Sequence, residues 1–183
     1  MQKISICVYC GSRSGSRPEY TKEAENLGRR IAKQSWRLVY GAGDVGLMAS
    51  VALAAQTNGT DTFGVIPMHL LQTEVGKADL TTFIITDDMH ERKKIMFMNS
   101  DAVVLLPGGI GSLDEFFEVL TWSQLGLHQK PIVIVNVKDV WSPLIDLINH
   151  MIANGFADAS LNSLFKITKT SDQALDYLCK TLQ

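Results

Sequence analysis

Long apolar runs are missing from this chain of 183 residues. No segment reaches the roughly 18–20 apolar residues that a bilayer-spanning helix needs, so a helical membrane protein is excluded. The opening Met-Gln-Lys-Ile-Ser-Ile-Cys-Val has one lysine and too short an apolar stretch for a secretory signal. Cysteine is scarce: three residues, an odd set without framework spacing, point to a reducing cytoplasm rather than a disulfide scaffold. Cys7 and Cys10 form a CxxC, but odd spacing on a strand sends the two thiols to opposite faces, which spoils a shared metal. The four histidines, His69, His90, His128 and His150, have no ligand spacing, so no metal is expected. Excess charge is lacking too. With 17 basic and 19 acidic residues the net charge is −2, which offers no field for nucleic acid or a membrane surface and favours a small-molecule partner. No linker, repeat or low-complexity tract interrupts the chain, and its length suits one domain over residues 1–183.

What is present is a regular alternation. Short β-rich runs are expected at 4–10, 36–40, 62–66, 82–86, 102–106, 132–137 and 165–167. Helical periods fall at 18–34, 45–57, 89–99, 112–124, 142–154 and 172–182, and 68–80 reads as a polar connection. Runs such as Val103-Val104-Leu105-Leu106 and Ile132-Val133-Ile134-Val135 are apolar on both faces, as a covered parallel sheet requires. Strand–helix alternation implies right-handed βαβ units and an α/β, doubly wound, mainly parallel Rossmann-like sheet. Such sheets bind ligands beyond their carboxyl ends. Three strand ends carry glycine: Gly11-Ser12, Gly41-Ala42-Gly43 and Gly108-Gly109-Ile110-Gly111-Ser112. Together they suggest a floor along which a ligand lies.

In Pro107-Gly108-Gly109-Ile110-Gly111-Ser112-Leu113-Asp114-Glu115 a strand runs through glycines straight into a helix. Glycine permits positive φ and close backbone approach, and the free amides and dipole of a helix start favour an anion. Without the Gly-Lys-Ser/Thr ending of a Walker A loop, the turn suits a monophosphate better than a magnesium-bound triphosphate. Glu115 falls in the first turn, where it either compensates the dipole or reaches the crevice, with Leu113, Phe116, Phe117 and Leu120 on the core face. The second segment, Met89-His90-Glu91-Arg92-Lys93-Lys94, puts three basic residues at a helix start, against the macrodipole. Such a run is either a solvated face or functional, and Arg92 can fork onto a phosphate or carboxylate while Lys93 adds a point charge. Met89 is either core filling, like Met96 and Met98, or the floor of a base. Trp122 packs in the crevice or at a subunit contact.

As an ordered set, Cys10-Gly11-Ser12, Val39-Tyr40-Gly41-Ala42-Gly43, Gly46-Leu47-Met48, Met89-His90-Glu91-Arg92-Lys93, the Pro107–Glu115 segment, Thr121-Trp122-Ser123-Gln124-Leu125-Gly126 and Lys130-Pro131 resemble the Lonely Guy family. These are cytokinin riboside 5′-monophosphate phosphoribohydrolases, long mislabelled lysine decarboxylases. The resemblance implies hydrolysis of a nucleoside 5′-monophosphate to free base and ribose 5-phosphate, without metal or organic cofactor. It makes Arg92 and Glu115 the catalytic pair. It places Glu74, Arg92, Lys93, Gly109, Ile110, Gly111, Ser112, Leu113, Asp114, Glu115 and Thr121 around the substrate, beside Ser12, Met89 and Gly108 of the glycine-lined floor. Arg92 is expected to fix the substrate and keep Glu115 ionised. A homodimer is the family precedent, with the glutamate-bearing helix near the interface. The chain departs from the family at Ser112, where threonine is usual, and at Ala42 and Ser50, where glycine is usual. A methyl at Ala42 is expected to narrow the nucleotide floor. Plain AMP is a serious candidate substrate beside the isopentenyl-adenine nucleotide.

Two other functions fit parts of the pattern. A pyridoxal phosphate decarboxylase would need a lysine for the Schiff base, and Lys93 is the nearest candidate. A nucleotide- or molybdenum-cofactor-binding carrier would need the glycine floor but not the joint presence of Arg92 and Glu115. Serine-nucleophile catalysis has no GxSxG motif to rest on.

Overall fold

The computed structural model describes residues 3–71 and 79–182. Seven strands, β1 (Ser5–Tyr9), β2 (Arg37–Tyr40), β3 (Thr62–Pro67), β4 (Thr82–Thr86), β5 (Ala102–Leu105), β6 (Ile132–Val135) and β7 (Lys166–Thr168), form one sheet in the order β4-β3-β2-β1-β5-β6-β7. Every neighbouring pair is parallel. The helices are α1 (Pro18–Lys33), α2 (Gly46–Thr57), the short α3 (Met68–Leu71), α4 (Met89–Met98), α5 (Ile110–Gln124), α6 (Ser142–Ala153) and α7 (Ser171–Thr181). Short 3-10 turns at Val137–Asp139 and Ala159–Ser163 had no signal in the periodicity.

The inner strands are buried on both faces, so their side chains feed two cores. Ile6, Val8, Leu38 and Tyr40 pack with Leu27 and Ile31 of α1, Val51 of α2 and Leu175 of α7. Cys7, Tyr9, Val103 and Leu105 pack on the other side with Met96 of α4, Phe116 and Leu120 of α5, and Ile148 of α6. Cys7 and Cys10 fall in these opposite layers, as strand alternation demands. Arg30 of α1 ties α7 down through Asp172 at 3.4 Å and through Asp176.

From β1 the chain steps outward to β2, β3 and β4, then returns to β5 on the other side of β1. The direction of winding therefore reverses between β1 and β5, and their carboxyl ends open into the crevice where open α/β sheets take ligands. Strands β5 and β6, like β1, stop earlier than the apolar runs suggest. Pro107, lacking an N–H, follows the last ladder bond, Leu106 N–H to Tyr9 O at 2.9 Å. After Val135, the side-chain oxygen of Asn136 accepts from the Trp141 N–H at 2.7 Å and turns the chain through left-handed Lys138 and Asp139.

Candidate active site

A cleft of about 890 Å³ lies over the carboxyl ends of β1, β2 and β5. Its walls include Ser12, Met89, Arg92, Pro107, Gly108, Gly109, Ile110, Gly111, Ser112 and Glu115. Among the described residues lining it, Arg13, Arg92 and Glu115 are the charged ones.

Helix α5 starts at Ile110, two residues earlier than its apolar period implies, so Gly111 lies within the first turn and Gly109 is the N-cap. That cap supplies no side-chain acceptor, which leaves the first amides of α5 free for an anion. None of Gly108, Gly109 and Gly111 has a positive φ, contrary to the conformational role expected of them. What they provide is room. A Cβ on Gly108 would lie 2.1 Å from the Ser112 hydroxyl, whereas Gly109 and Gly111 face open space. The Gly11 turn is stitched alongside, its N–H donating to Pro107 O at 3.0 Å.

Arg92 owes its position to α4. Asp88 caps that helix by accepting from the Glu91 N–H at 2.8 Å, and the Glu91 carboxylate accepts from the Asp87 N–H at 2.9 Å. These acids answer the macrodipole, so the basic run does not defy it. Arg92 is only 6% exposed. Its Nε donates to Val65 O at 3.1 Å, its Nη2 to Gly41 O at 2.8 Å, and its Nη1 points at the Met89 sulfur at 3.7 Å. A Cβ on Gly41 would fall 1.9 Å from Nη2, so glycine is what lets the guanidinium lie against β2.

Glu115 is buried with Phe116, although the core face read from the sequence, Leu113, Phe116, Phe117 and Leu120, leaves it out. Burial pushes its carboxyl up to about 7, Arg92 and Lys93 pull it down, and Asp114 and Glu118 push it up. Arg92 is expected to keep Glu115 ionised; its guanidinium is the strongest of the charges that lower the carboxyl, but desolvation outweighs it. A carboxyl poised there can either hold or take a proton at neutral pH.

Lys93 does not line the cleft. Its ammonium is buried between helices, 3.0 Å from Asp114 and 2.8 Å from Glu118 of α5. Burial works against its charge, but the hydrogen bonds to Glu118 and Asp114 outweigh it and hold the amine above its ordinary range. An ammonium so held is not the free amine that a pyridoxal Schiff base requires, so the residues present do not fit that cofactor.

The remaining candidates divide. Leu113 is half-buried against the α5–α6 core, and Asp114 is taken up by Lys93. Thr121 lies with Asp114, Phe117, Glu118 and Trp122 around a second, shallow recess. Trp122 meets Phe97 edge-on at 5.0 Å. Glu74 lies outside the described residues. Of these methionines, Met98 is exposed, Met89 lines the cleft, and Met96 is a core residue that also reaches the cleft. Ala42 corrects another expectation. Its left-handed backbone (φ 54°) turns the methyl toward Gly64, whose own Cβ would stand 2.8 Å away, and not toward the nucleotide floor. The Ser50 hydroxyl bonds back to Gly46 O at 3.0 Å. Missed altogether from sequence were Arg13 on the wall and the carbonyls of Gly41 and Val65. Arg13's proximity to the glycine motif along the β1 end was the available signal.

Among the described residues no helix is long and apolar enough to cross a membrane, and no cluster of three or more His, Cys, Asp or Glu offers a metal site.

Residues 48–178 match the family model described as possible lysine decarboxylase. A cytokinin riboside 5′-monophosphate phosphoribohydrolase of Rhodococcoides fascians is 41% identical over 172 residues, spanning 93% of this chain and 87% of that protein. A probable enzyme of the same name from Oryza sativa subsp. japonica is 38% identical over 174 residues, spanning 95% and 76%. One from Arabidopsis thaliana is 41% identical over 151 residues, spanning 82% and 70%. Among solved structures, the molybdenum cofactor binding protein of Rippkaea orientalis superposes with a TM-score of 0.75 at 23% identity, over 100% of this chain and 99% of that one. At that identity the likeness concerns the fold.

Proposed function

The chain belongs to the family of cytokinin riboside 5′-monophosphate phosphoribohydrolases, and on that footing we propose that it hydrolyses the N-glycosidic bond of nucleoside 5′-monophosphates. The observation that carries the reading is the shared wall: the uncapped start of α5 and the buried carboxyl of Glu115, one turn along the same helix, face one cleft. A helical turn rises about 5.4 Å. A phosphate on the amides of Gly109–Ser112 thus sets the ribose of the same nucleotide beside the carboxyl.

Cleavage breaks the bond between C1′ and the base nitrogen, whose electron pair leaves with the base. Positive charge builds on the ribose, as in other glycoside hydrolyses. Water supplies hydroxide to C1′ and a proton that ends on the base. Glu115, balanced near neutrality, takes the water proton and offers negative charge to the ring. Arg92, seated on the Gly41 and Val65 carbonyls, keeps two N–H groups for the substrate. The phosphate is a handle whose binding energy orients the bond to be broken. Leu47, Met48, Leu70 and Met89 give the cleft an apolar flank for the base, with or without an isopentenyl tail. Lys93 and Asp114 support the glutamate from behind, and the recess at Thr121 is the surface we assign to a second copy in a cytoplasmic homodimer.

The test is incubation with AMP and, separately, isopentenyladenosine 5′-monophosphate, following free base and ribose 5-phosphate by chromatography. Base release that needs the 5′-phosphate is expected, with a fall of about 10²–10⁴-fold in Glu115→Gln. Tight AMP binding without release from either nucleotide refutes the hydrolase and leaves a carrier.

A further inference from the structure

We propose that Arg13, on the loop between β1 and α1, is the cation that recognises the 5′-phosphate and so sets the preference for nucleotides over nucleosides. The inference rests on the hydrolase reading for the identity of the ligand, but not for its own test.

The need for such a cation follows from charge. A phosphate monoester carries about −1.5 to −2 at neutral pH. The start of α5 returns about half an elementary charge, and its amides and the Ser112 hydroxyl are neutral donors. About −1 to −1.5 of charge is left, and Glu115 adds to it whenever it is ionised. Arg92 is poorly placed to answer. It is seated over β2 and β3, while the glycine turn follows β5, two strand spacings from β2 with β1 between. At about 4.8 Å for each spacing that is on the order of 10 Å.

Arg13 is placed where Arg92 is not. Its backbone is wedged between the glycine turn and the start of α2. A Cβ on Gly11 would lie 3.0 Å from Arg13 O and 3.3 Å from the Gly108 Cα, and one on Gly46 would lie 2.5 Å from Arg13 N. Gly46 itself has φ +61°, a conformation that suits glycine and brings the loop this close. The Arg13 side chain is exposed, lines the cleft, and makes no hydrogen bond or ion pair with a described residue. A guanidinium that lines the same cleft as the uncapped helix amides, on a loop whose backbone abuts the glycine turn, suits the forked, charge-assisted recognition of phosphate oxygens. Ser12 and Ser14 bring hydroxyls to the same wall.

Binding is measured by calorimetry on the full chain carrying Glu115→Gln, so that nucleotide is not consumed. Arg13→Ala is expected to weaken AMP by about 10–30-fold, from the loss of one charge-assisted contact in a partly exposed site. Adenosine should stay within about twofold, Arg13→Lys should restore most of the AMP affinity, and the AMP difference should shrink as salt rises. In protein with Glu115 intact, the loss should fall on KM more than on kcat. Equal weakening of AMP and adenosine, or no weakening of AMP, overturns the role of Arg13. Failure of the hydrolase reading is a separate result: no base release from the intact protein while AMP binding still depends on Arg13.

Discussion

Replacing Glu115 with glutamine should make the protein more stable, and by an amount that grows with pH. In the folded chain burial moves this carboxyl from 4.5 up to about 7. The native state therefore binds its proton more tightly than the unfolded state does. Below about pH 4.5 both states are protonated and nothing is lost. As pH rises from there to 7 the unfolded state releases the proton while the native state keeps it, so stability falls across that window and levels off above it. At about 1.4 kcal/mol for each pH unit, the full penalty is roughly 3 kcal/mol. For a chain of this size that corresponds to about 6–12 °C in Tm. Glutamine keeps the shape and does not titrate. Thermal unfolding of wild type and Glu115→Gln at pH 5 and pH 8 separates this effect from every other titrating group, because only the difference between the two proteins is read. The measurement is made without nucleotide, whose phosphate titrates near 6. The Gln variant should gain most at pH 8 and little at pH 5. An equal gain at both pH values, or a loss at pH 8, refutes the claim that burial holds the carboxyl up. Turnover of wild type should rise through about pH 7 if Glu115 accepts the water proton, so the ionised form that the reaction needs is the form that burial penalises.

Two further substitutions probe the supports. Gly41→Ala drives a methyl into the Arg92 guanidinium, for which a Cβ would be 1.9 Å from Nη2; turnover should fall at least tenfold, with a stability cost of about 1–3 kcal/mol by denaturant unfolding. Wild-type kinetics in this variant would show that the seat of Arg92 is irrelevant to the reaction. Lys93→Met removes a cation that lowers the Glu115 carboxyl and leaves Asp114 and Glu118 uncompensated beside it. The pH profile of kcat should move to higher pH, and a shift to lower pH would contradict the assigned electrostatics.

The layout of the sheet was legible because β5 and β6 are apolar on both faces, a pattern that leaves a parallel, doubly covered sheet as its outcome. The anion turn was legible because a strand, glycines and a helix start follow one another within a few residues. Properties that depend on distant neighbours were not. Glu115 reads as a first-turn acid that either compensates the dipole or reaches the crevice, and neither reading discloses its burial, from which its proton affinity follows. Lys93 reads as a ligand for phosphate until two acids from α5 capture it. The direction of the Ala42 methyl depends on a left-handed backbone that composition does not disclose. Trp141, whose indole donates to Leu106 O at 3.3 Å just ahead of the glycine turn, gave no signal because its partner is a backbone atom.

The seat of Arg92 has a consequence for how such a protein can vary. Two of its anchors are main-chain oxygens, at Val65 and Gly41, and every amino acid carries that atom. Residue 65 can therefore drift among β-formers without releasing the guanidinium, whereas any side chain at residue 41 would push the guanidinium from its seat. A lineage could rebuild the surface of β3 and still inherit the same arginine geometry, with a single methyl-sized vacancy as its most fragile part.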